Sequence, residues 1–470
     1  MIKGSSAKRQ MVGQLYANLT NILEKIDAGI EVKKHSDKIE IYSPLSCLEA
    51  VKQKLTNTSG IETVLEVTQV DNITTLDALK VAVEKLVAPK LTNKTFVVRA
   101  KRSGKHPFTS MDIERSVGGY LLAHTQAKKV QLKNPDITVE FELIQDQLNL
   151  ITARYSGLSG FPLGTQGDIL SLMSGGFDST IASYLTMKRG IKTHFIFFNL
   201  GGMAHEIGVK QVAFYLWSKF ASSHKVKFIS IPFDDVIGEI FASTPPTYMG
   251  VMLKRLMLQA SEQIADKLEI DALLTGESVA QVSSQTLRNL ALIDQATNKL
   301  VLRPLATMNK PEIIALAEKI GTRHFAENMP EYCGVISQNP ITHGSFKRME
   351  KVAQKFNYDV LQKAVDDAKI IDIDTVVDDV NQLQAVEIVN EIDPDKHTII
   401  DIRTEGKELT TKAKQIAIPF HNLKKEFEKL PQNKEYLLYC DKGVMSQLHA
   451  QYLIDHYKCD NVKVYRPKED

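Results

Sequence analysis

Two stretches of this chain place reactive residue types at spacings that do chemistry. The first is Ser174-Gly175-Gly176-Phe177-Asp178-Ser179, which follows the apolar run Ile169–Met173 and leads into a helical pattern through Ser183-Tyr184-Leu185. Adjacent glycines let backbone N–H groups approach an anion, and the amino end of the following helix adds partial positive charge, so strand, glycine turn and helix together read as a phosphate site. No lysine stands inside the turn, which separates it from the Gly-x-x-x-x-Gly-Lys-Ser/Thr loop of P-loop kinases and GTPases. An incidental turn with a helix cap is the plain alternative; the coincidence of the strand, both glycines and both serines argues against it. The second stretch is Leu438-Tyr439-Cys440-Asp441-Lys442-Gly443-Val444-Met445-Ser446, a cysteine just beyond an apolar strand and ahead of a helix starting near Ser446. Backbone N–H groups at such a helix start favour a thiolate, the form of cysteine that accepts and donates sulfur. A packed structural cysteine is the alternative there.

Both loops need elements to hold them. From Asp168 to about Gly321, short apolar runs at Ile169–Met173, Thr193–Asn199, Phe228–Ile231, Ala272–Thr275 and Leu300–Arg303 alternate with helical patterns. That alternation predicts a doubly wound parallel sheet, whose ligands sit beyond the carboxyl ends of the strands. Leu172 and Met173 then border the site from the first strand, and Phe197 and Phe198 from the second. Lys254, Gly276 and Gln285 are further candidates, and Lys310, after a loop, is placed to neutralise charge on phosphates. Surface lysines and a helix cap are the competing explanations for Lys254 and Lys310. Strands at His397–Ile402, Gln415–Ile418, Glu435–Tyr439 and Lys463–Tyr465 make a separate α/β unit around Cys440.

At 470 residues the chain is too long for one core, so several domains are expected. Four glycines and a proline between residues 157 and 167 read as a linker. Charge is uneven. Residues 85–133 hold eleven Lys or Arg against Asp112 and Glu114, whereas 366–395 hold ten acidic residues against Lys369 alone. The basic stretch favours a polyanionic partner, nucleic acid first, over a merely solvated face. No apolar run is long enough to span a membrane and no apolar segment follows the charged start, so a cytoplasmic protein is expected. Four cysteines cannot build a disulfide framework, and any thiol pair in a reducing compartment is expected to be catalytic.

Ser174–Ser179 resembles the SGGxDS loop of PP-loop ATP pyrophosphatases, which adenylate a substrate and release pyrophosphate. The resemblance implies that Ser174, Gly175, Gly176 and Ser179 grip ATP phosphates and that Asp178 helps hold Mg2+. The segment from Phe96 to Leu122 resembles a THUMP RNA-binding module. The region around Cys440 resembles a rhodanese domain, with Ile399-Ile400-Asp401-Ile402-Arg403 matching its early strand-end motif, although Met445 stands where many such loops end in arginine. Taken in order, with Met329-Pro330-Glu331-Tyr332-Cys333-Gly334 between them, these segments resemble the tRNA 4-thiouridine synthetases over nearly the whole chain. That family implies a ferredoxin-like module at 1–49; the family has a strand ahead of the segment matching Ile2-Lys3, where this sequence begins, which is either a truncated start or a real variation. It further implies a THUMP domain at 50–155, a PP-loop domain at 156–365, an acidic linker at 366–387 and a rhodanese-like domain at 388–470. It implies ATP and Mg2+ as cofactors, and tRNA as substrate, thiolated at uridine 8 and contacted by Arg99, Lys101, Arg102 and Lys105. A cysteine desulfurase would load a persulfide on Cys440, and Cys333 would be the second thiol. A thiamine sulfur-carrier protein as a further partner, and a homodimer, are also implied. The rival readings are another ATP-dependent RNA-modifying ligase, which leaves Cys440 without a task, and a non-catalytic RNA-binding sulfur-relay adaptor.

Overall fold

The computed structural model describes residues 4–36, 38–200, 202–327, 329, 340–376, 386–403, 409, 411–419, 423–431, 433–440, 446, 449–450, 453–454, 457 and 460–467. The chain divides into two compact units: one is Ile61–Ser159, the other joins Met1–Gly60 to Gly160–Asp470.

In the first unit, β3 (Thr63–Val70), β4 (Thr95–Ser103), β5 (Lys129–Val130), β6 (Ile137–Ile144) and β7 (Gln147–Ser156) form a sheet ordered β3-β7-β6-β4-β5. Its core is made by α3 (Leu76–Leu91) and α4 (Ser110–His124), whose Leu79, Val83, Ile113, Val117 and Leu121 pack on Phe96, Val98 and Phe141 of the strands. Helix α4 starts where Thr109 accepts from the Asp112 N–H and Asp112 accepts from the Thr109 N–H, a reciprocal cap that fixes its entry.

In the second unit, α1 (Ser5–Leu23), the β1–β2 hairpin (Glu31–Lys34, Ile39–Tyr42) and α2 (Leu48–Thr56) form a small module. It is tied to the nucleotide-type domain by the Asn18 amide, which donates to the Leu163 carbonyl at 3.0 Å, and by the Lys54 ammonium on the Ser218 carbonyl at 2.7 Å. The main sheet runs β12-β11-β8-β9-β10-β13. Strands β8 (Asp168–Leu172), β9 (Lys192–Asn199), β10 (Lys227–Pro232), β11 (Ala272–Leu274) and β12 (Leu300–Leu302) are parallel. The interiors of β8, β9, β10 and β11 are buried, as strands covered on both faces are, whereas β12 at the sheet edge is only partly buried and leaves Leu300 exposed. Chain order reverses beside β8: β9 and β10 extend one way, then the chain returns to lay β11 on the other side. This is the crevice where open α/β sheets bind ligands.

The acidic segment is not wholly a linker. Lys369–Asp372 forms β13, antiparallel to β10, with a Lys227–Asp372 ion pair of 2.8 Å. Net charge masked the short apolar pair Ile370-Ile371 that pairs with Phe228 and Ile229. In the C-terminal region β14 (Ile388–Val389), β15 (His397–Asp401), β16 (Lys414–Ala417), β17 (Glu435–Tyr439) and β18 (Val462–Tyr465) form a five-stranded sheet ordered β14-β18-β17-β15-β16, with β15 and β17 parallel neighbours. Among the described residues, no helix is long and apolar enough to cross a membrane.

Candidate active site

The turn after β8 has the geometry its glycines predict. Gly175 takes φ +79°, and Gly176 leads into α5 (Phe177–Lys188). Inside the turn the Ser174 N–H donates to Ser179 Oγ at 3.2 Å, the two serine hydroxyls meet at 3.1 Å, and Thr180 donates to the Gly176 carbonyl at 2.7 Å. Gly276, just past β11, lies so close that a Cβ there would stand 2.5 Å from the Asp178 carbonyl carbon and the Ser179 nitrogen. Only glycine lets these two loops touch, so the residues after β8 and β11 form one wall.

Three charged sets surround that wall. Asp178 receives the Lys310 ammonium on Oδ1 and the Gln281 amide on Oδ2, each at 2.7 Å. Lys310 opens α10 (Lys310–Ile320), whose Asn309 cap and Pro311 fix its start. Buried Glu277 accepts Lys254 on Oε1 at 2.7 Å and Arg303 on Oε2 at 2.8 Å, with Thr275 Oγ1 at 3.1 Å. Burial alone would push the Glu277 carboxyl up, but Lys254 and Arg303 more than offset it and hold it below the ordinary range. Arg303 is in turn bound by Asp294 at 2.6 Å. At the end of β9, Asn199 donates to Glu206 at 3.0 Å, and Glu206 pairs with buried Lys210 at 2.8 Å. Nearby, His205 stands edge-on to Phe197 at 4.8 Å. Burial pushes its imidazole below the ordinary value, while the Ser174 backbone pulls the other way.

The sequence candidates are thus partly gathered. Ser174, Gly175, Gly176, Asp178, Ser179, Gly276 and Lys310 meet at the switch point; Lys254 reaches it through Glu277. Gln285 is buried, its backbone carbonyl accepts the Ala280 N–H at 2.9 Å, and its Oε1 has no partner among the described residues, the kind of atom a ligand or water completes. Phe197 and Phe198 stand near the end of β9, the position expected of them. Their side chains are interior: Phe197 sits against His205 and Phe198 against Phe233 at 4.7 Å, because β9 is buried on both faces and both alternating sides of the strand point into core. Met173 is likewise buried, its N–H on the Ile196 carbonyl at 2.8 Å, and Leu172 is partly buried. Backbone at these strand ends and the partly exposed Leu172 side chain are left to meet a ligand. Glu277, Gln281, Arg303, His205 and Glu206 were not read from sequence. A carboxylate directly after a strand-end glycine in Thr275-Gly276-Glu277 was the available signal.

Among the described residues no cluster of three or more His, Cys, Asp or Glu could hold a metal. Asp178, a single carboxylate beside the phosphate turn, fits a divalent cation of the kind that keeps several waters and is otherwise bound by substrate phosphates.

Cys440 is buried at the carboxyl end of β17. Its thiol donates to Ser446 Oγ at 3.4 Å and its sulfur accepts the Ser446 N–H at 3.3 Å. Beside it, the Arg403 guanidinium is held by both oxygens of Asp401 and lies 4.9 Å from the Tyr439 ring centre. Cys333 and residues 441–445 lie outside the described residues.

On the Ile61–Ser159 unit, Arg99, Lys101, Arg102 and Lys105 are all exposed. The basic excess counted along the chain is reduced in space, however. Parallel register sets Glu140 beside Arg99 and Glu142 beside Lys101, Glu114 pairs with Arg99 at 3.5 Å, and Glu140 also takes Arg154. Arg102, which donates to the Gly104 carbonyl at 3.3 Å, and Lys105 lie beyond this carboxylate row.

Fold and loop define a PP-loop α/β domain carried with a THUMP unit and a C-terminal cysteine-bearing α/β sheet. Residues 164–358 match the family model described as thiamine biosynthesis protein (ThiI), and 74–152 match the THUMP domain model. The chain is 45% identical over 474 residues to the tRNA sulfurtransferase of Tolumonas auensis, covering 99% of this chain and 97% of that one. To the tRNA sulfurtransferase of Aliivibrio fischeri strain ES114 it is 47% identical, covering 99% and 98%. It therefore belongs to the tRNA sulfurtransferase family. A 4-thiouridine synthetase solved in complex with RNA and bound ATP superposes with a TM-score of 0.69 at 25% identity, over 79% of this chain and 96% of that one. PH1313 from Pyrococcus horikoshii shares the fold, with a TM-score of 0.51 at 18% identity over 68% and 96%.

Proposed function

We propose that this chain is an ATP-dependent tRNA sulfurtransferase that makes 4-thiouridine by adenylating a uridine carbonyl at the 174–179 turn and replacing its oxygen with sulfur carried on Cys440. The observation that carries this reading is the junction at β8. A glycine turn at a helix start, backed by Gly276 and flanked by Asp178 and Lys310, lies at the sheet crevice of a chain 45% identical to tRNA sulfurtransferases.

The turn holds the β and γ phosphates through backbone N–H groups and the Ser174 and Ser179 hydroxyls, leaving the α phosphorus open to uridine O4. Asp178 is the residue that would hold Mg2+, which neutralises phosphate charge when bound. Lys310 and Lys254 stabilise the pyrophosphate as it leaves. Adenylation converts O4 at uridine 8 into the leaving group AMP. A cysteine desulfurase supplies the outer sulfur of a Cys440 persulfide. That sulfur, or sulfide freed from it, attacks C4 and expels AMP. Cys333 attacks Sγ of Cys440, breaking its bond to the transferred sulfur and leaving a Cys333–Cys440 disulfide, which an external dithiol reduces. Arg102 and Lys105, with Arg99 and Lys101, hold tRNA by its phosphates. The same sulfur chemistry would serve a thiamine sulfur-carrier protein.

Nucleoside mass spectrometry after incubating tRNA with ATP, Mg2+ and a loaded desulfurase tests this. Thiouridine should form over many turnovers with the natural chain, not at all with Cys440→Ser, which cannot carry the persulfide, and not beyond a single sulfur transfer with Cys333→Ser. Equal multiple-turnover yields from all three would overturn the two-thiol scheme.

A further inference from the structure

We propose that Gln281 is a positioning residue that aims the Asp178 carboxylate at the divalent cation arriving with the nucleoside triphosphate; this rests on the reading that Asp178 serves that cation. Both Asp178 oxygens are engaged, Oδ1 by Lys310 and Oδ2 by Gln281, each at 2.7 Å. The two partners differ in kind. An ammonium and a metal ion compete for the same oxygen, so Lys310 must leave Oδ1 when a divalent cation takes it. A neutral amide has no such conflict and keeps Oδ2. A carboxylate pinned at one oxygen presents the other in a single direction. Lys310, once displaced, is free to turn to phosphate oxygens, so the pair works as a placeholder that exchanges one cation for another.

The backbone around Gln281 is built for this contact. Ala280, immediately before it, takes φ +65°, a left-handed conformation that side-chain-bearing residues seldom adopt and that persists only where the surroundings enforce it. The enforcement is visible. The Ala280 N–H donates to the Gln285 carbonyl at 2.9 Å, the Val279 N–H to the Ala306 carbonyl at 3.0 Å, and the Ser278 hydroxyl to the Met308 carbonyl at 2.7 Å. With Gly276 pressed on the Asp178–Ser179 backbone, the 276–285 loop is fixed on both sides of Gln281. Strain at a contact that ends on the phosphate-turn carboxylate points to positioning for a ligand rather than to packing alone.

Calorimetric titration of the full chain with a non-hydrolysable ATP analogue, in saturating Mg2+ and in EDTA, reads the effect without turnover. In the natural chain Mg2+ tightens binding. Gln281→Leu should lose about tenfold of that gain, the cost of one hydrogen bond to a charged group, with affinity in EDTA unchanged. Equal losses in both conditions, or none in either, would overturn the proposal. Asp178→Asn separates the two levels. If it keeps the Mg2+ gain, the reading of Asp178 fails. If it loses the gain while Gln281→Leu keeps it, only the present proposal fails.

Discussion

Around Asp178, charges are half-buried and interlocked: Lys310 and Gln281 on one carboxylate, Lys254 and Arg303 on another, Asp294 behind them. Along β4 the cations are exposed, and their carboxylate neighbours are partly exposed beside them. The difference separates two ways of handling an anion. A buried network fixes geometry, and each member depends on the rest, because removing one leaves another charge uncompensated in a poorly solvated place. An exposed row supplies attraction that is shared, replaceable and screened by salt. The first suits a reaction that must present one phosphorus atom; the second suits a large substrate that must be gathered and oriented.

The sharpest way to break this contrast is Glu277→Ala, which strips the carboxylate from Lys254 and Arg303 together. It should destabilise the domain by about 3–5 kcal/mol, as for other broken buried pairs. Trp217, the only tryptophan, is buried in the same domain with its indole N–H on the His224 carbonyl, so its fluorescence reports the urea midpoint locally. Lys101→Ala, on the exposed row, should move stability by less than about 0.5 kcal/mol by circular dichroism. Next in size is Gly276→Ala. Its added methyl meets backbone that cannot swing aside, so affinity for the ATP analogue should fall about tenfold or more, about 1.4 kcal/mol, while tRNA affinity without nucleotide stays unchanged.

Acid sharpens the same point. The folded Glu277 carboxyl is held below its ordinary value of 4.5, so the unfolded chain takes up its proton first. The stability this supplies is complete above that ordinary value and drains away as pH falls through the depressed one. Urea midpoints read at Trp217 should therefore fall below pH 4.5 more steeply in the natural chain than in Glu277→Gln. The smallest effects belong to single cations of the row. Arg102→Ala or Lys105→Ala should each lower tRNA affinity a few-fold and flatten its log–log salt dependence by about 0.7–0.9 for each phosphate left without its cation. Arg99→Ala, already paired to Glu114, should do less.

Much of this was legible in the residues. The parallel strands stand out because the four inner ones are buried apolar runs and the edge strand β12 keeps the apolar Leu300-Val301-Leu302, and the glycine turn stands out because its backbone demands glycine. What stayed hidden depends on neighbours that sequence does not bring together. Gln281 and Asp178 are 103 residues apart, and only the adjacency of β8 and β11 unites them. Arg303 meets Glu277 only because β12 lies beside β11. Of the carboxylates facing Arg99 and Lys101, Glu114 was counted with the basic segment, but Glu140 and Glu142 come from β6, outside it. Phe197 and Phe198 sit at the expected strand end, but an eight-residue strand with buried faces turns both rings into core.

The most direct test of separate activation and sulfur sites is transfer of label from [α-32P]ATP to tRNA when sulfur cannot follow. Cys440→Ser should accumulate labelled, adenylated tRNA in the presence of Mg2+, and Asp178→Asn should accumulate none. Absence of label with Cys440→Ser, or full labelling with Asp178→Asn, would contradict activation at the 174–179 turn ahead of sulfur transfer from Cys440.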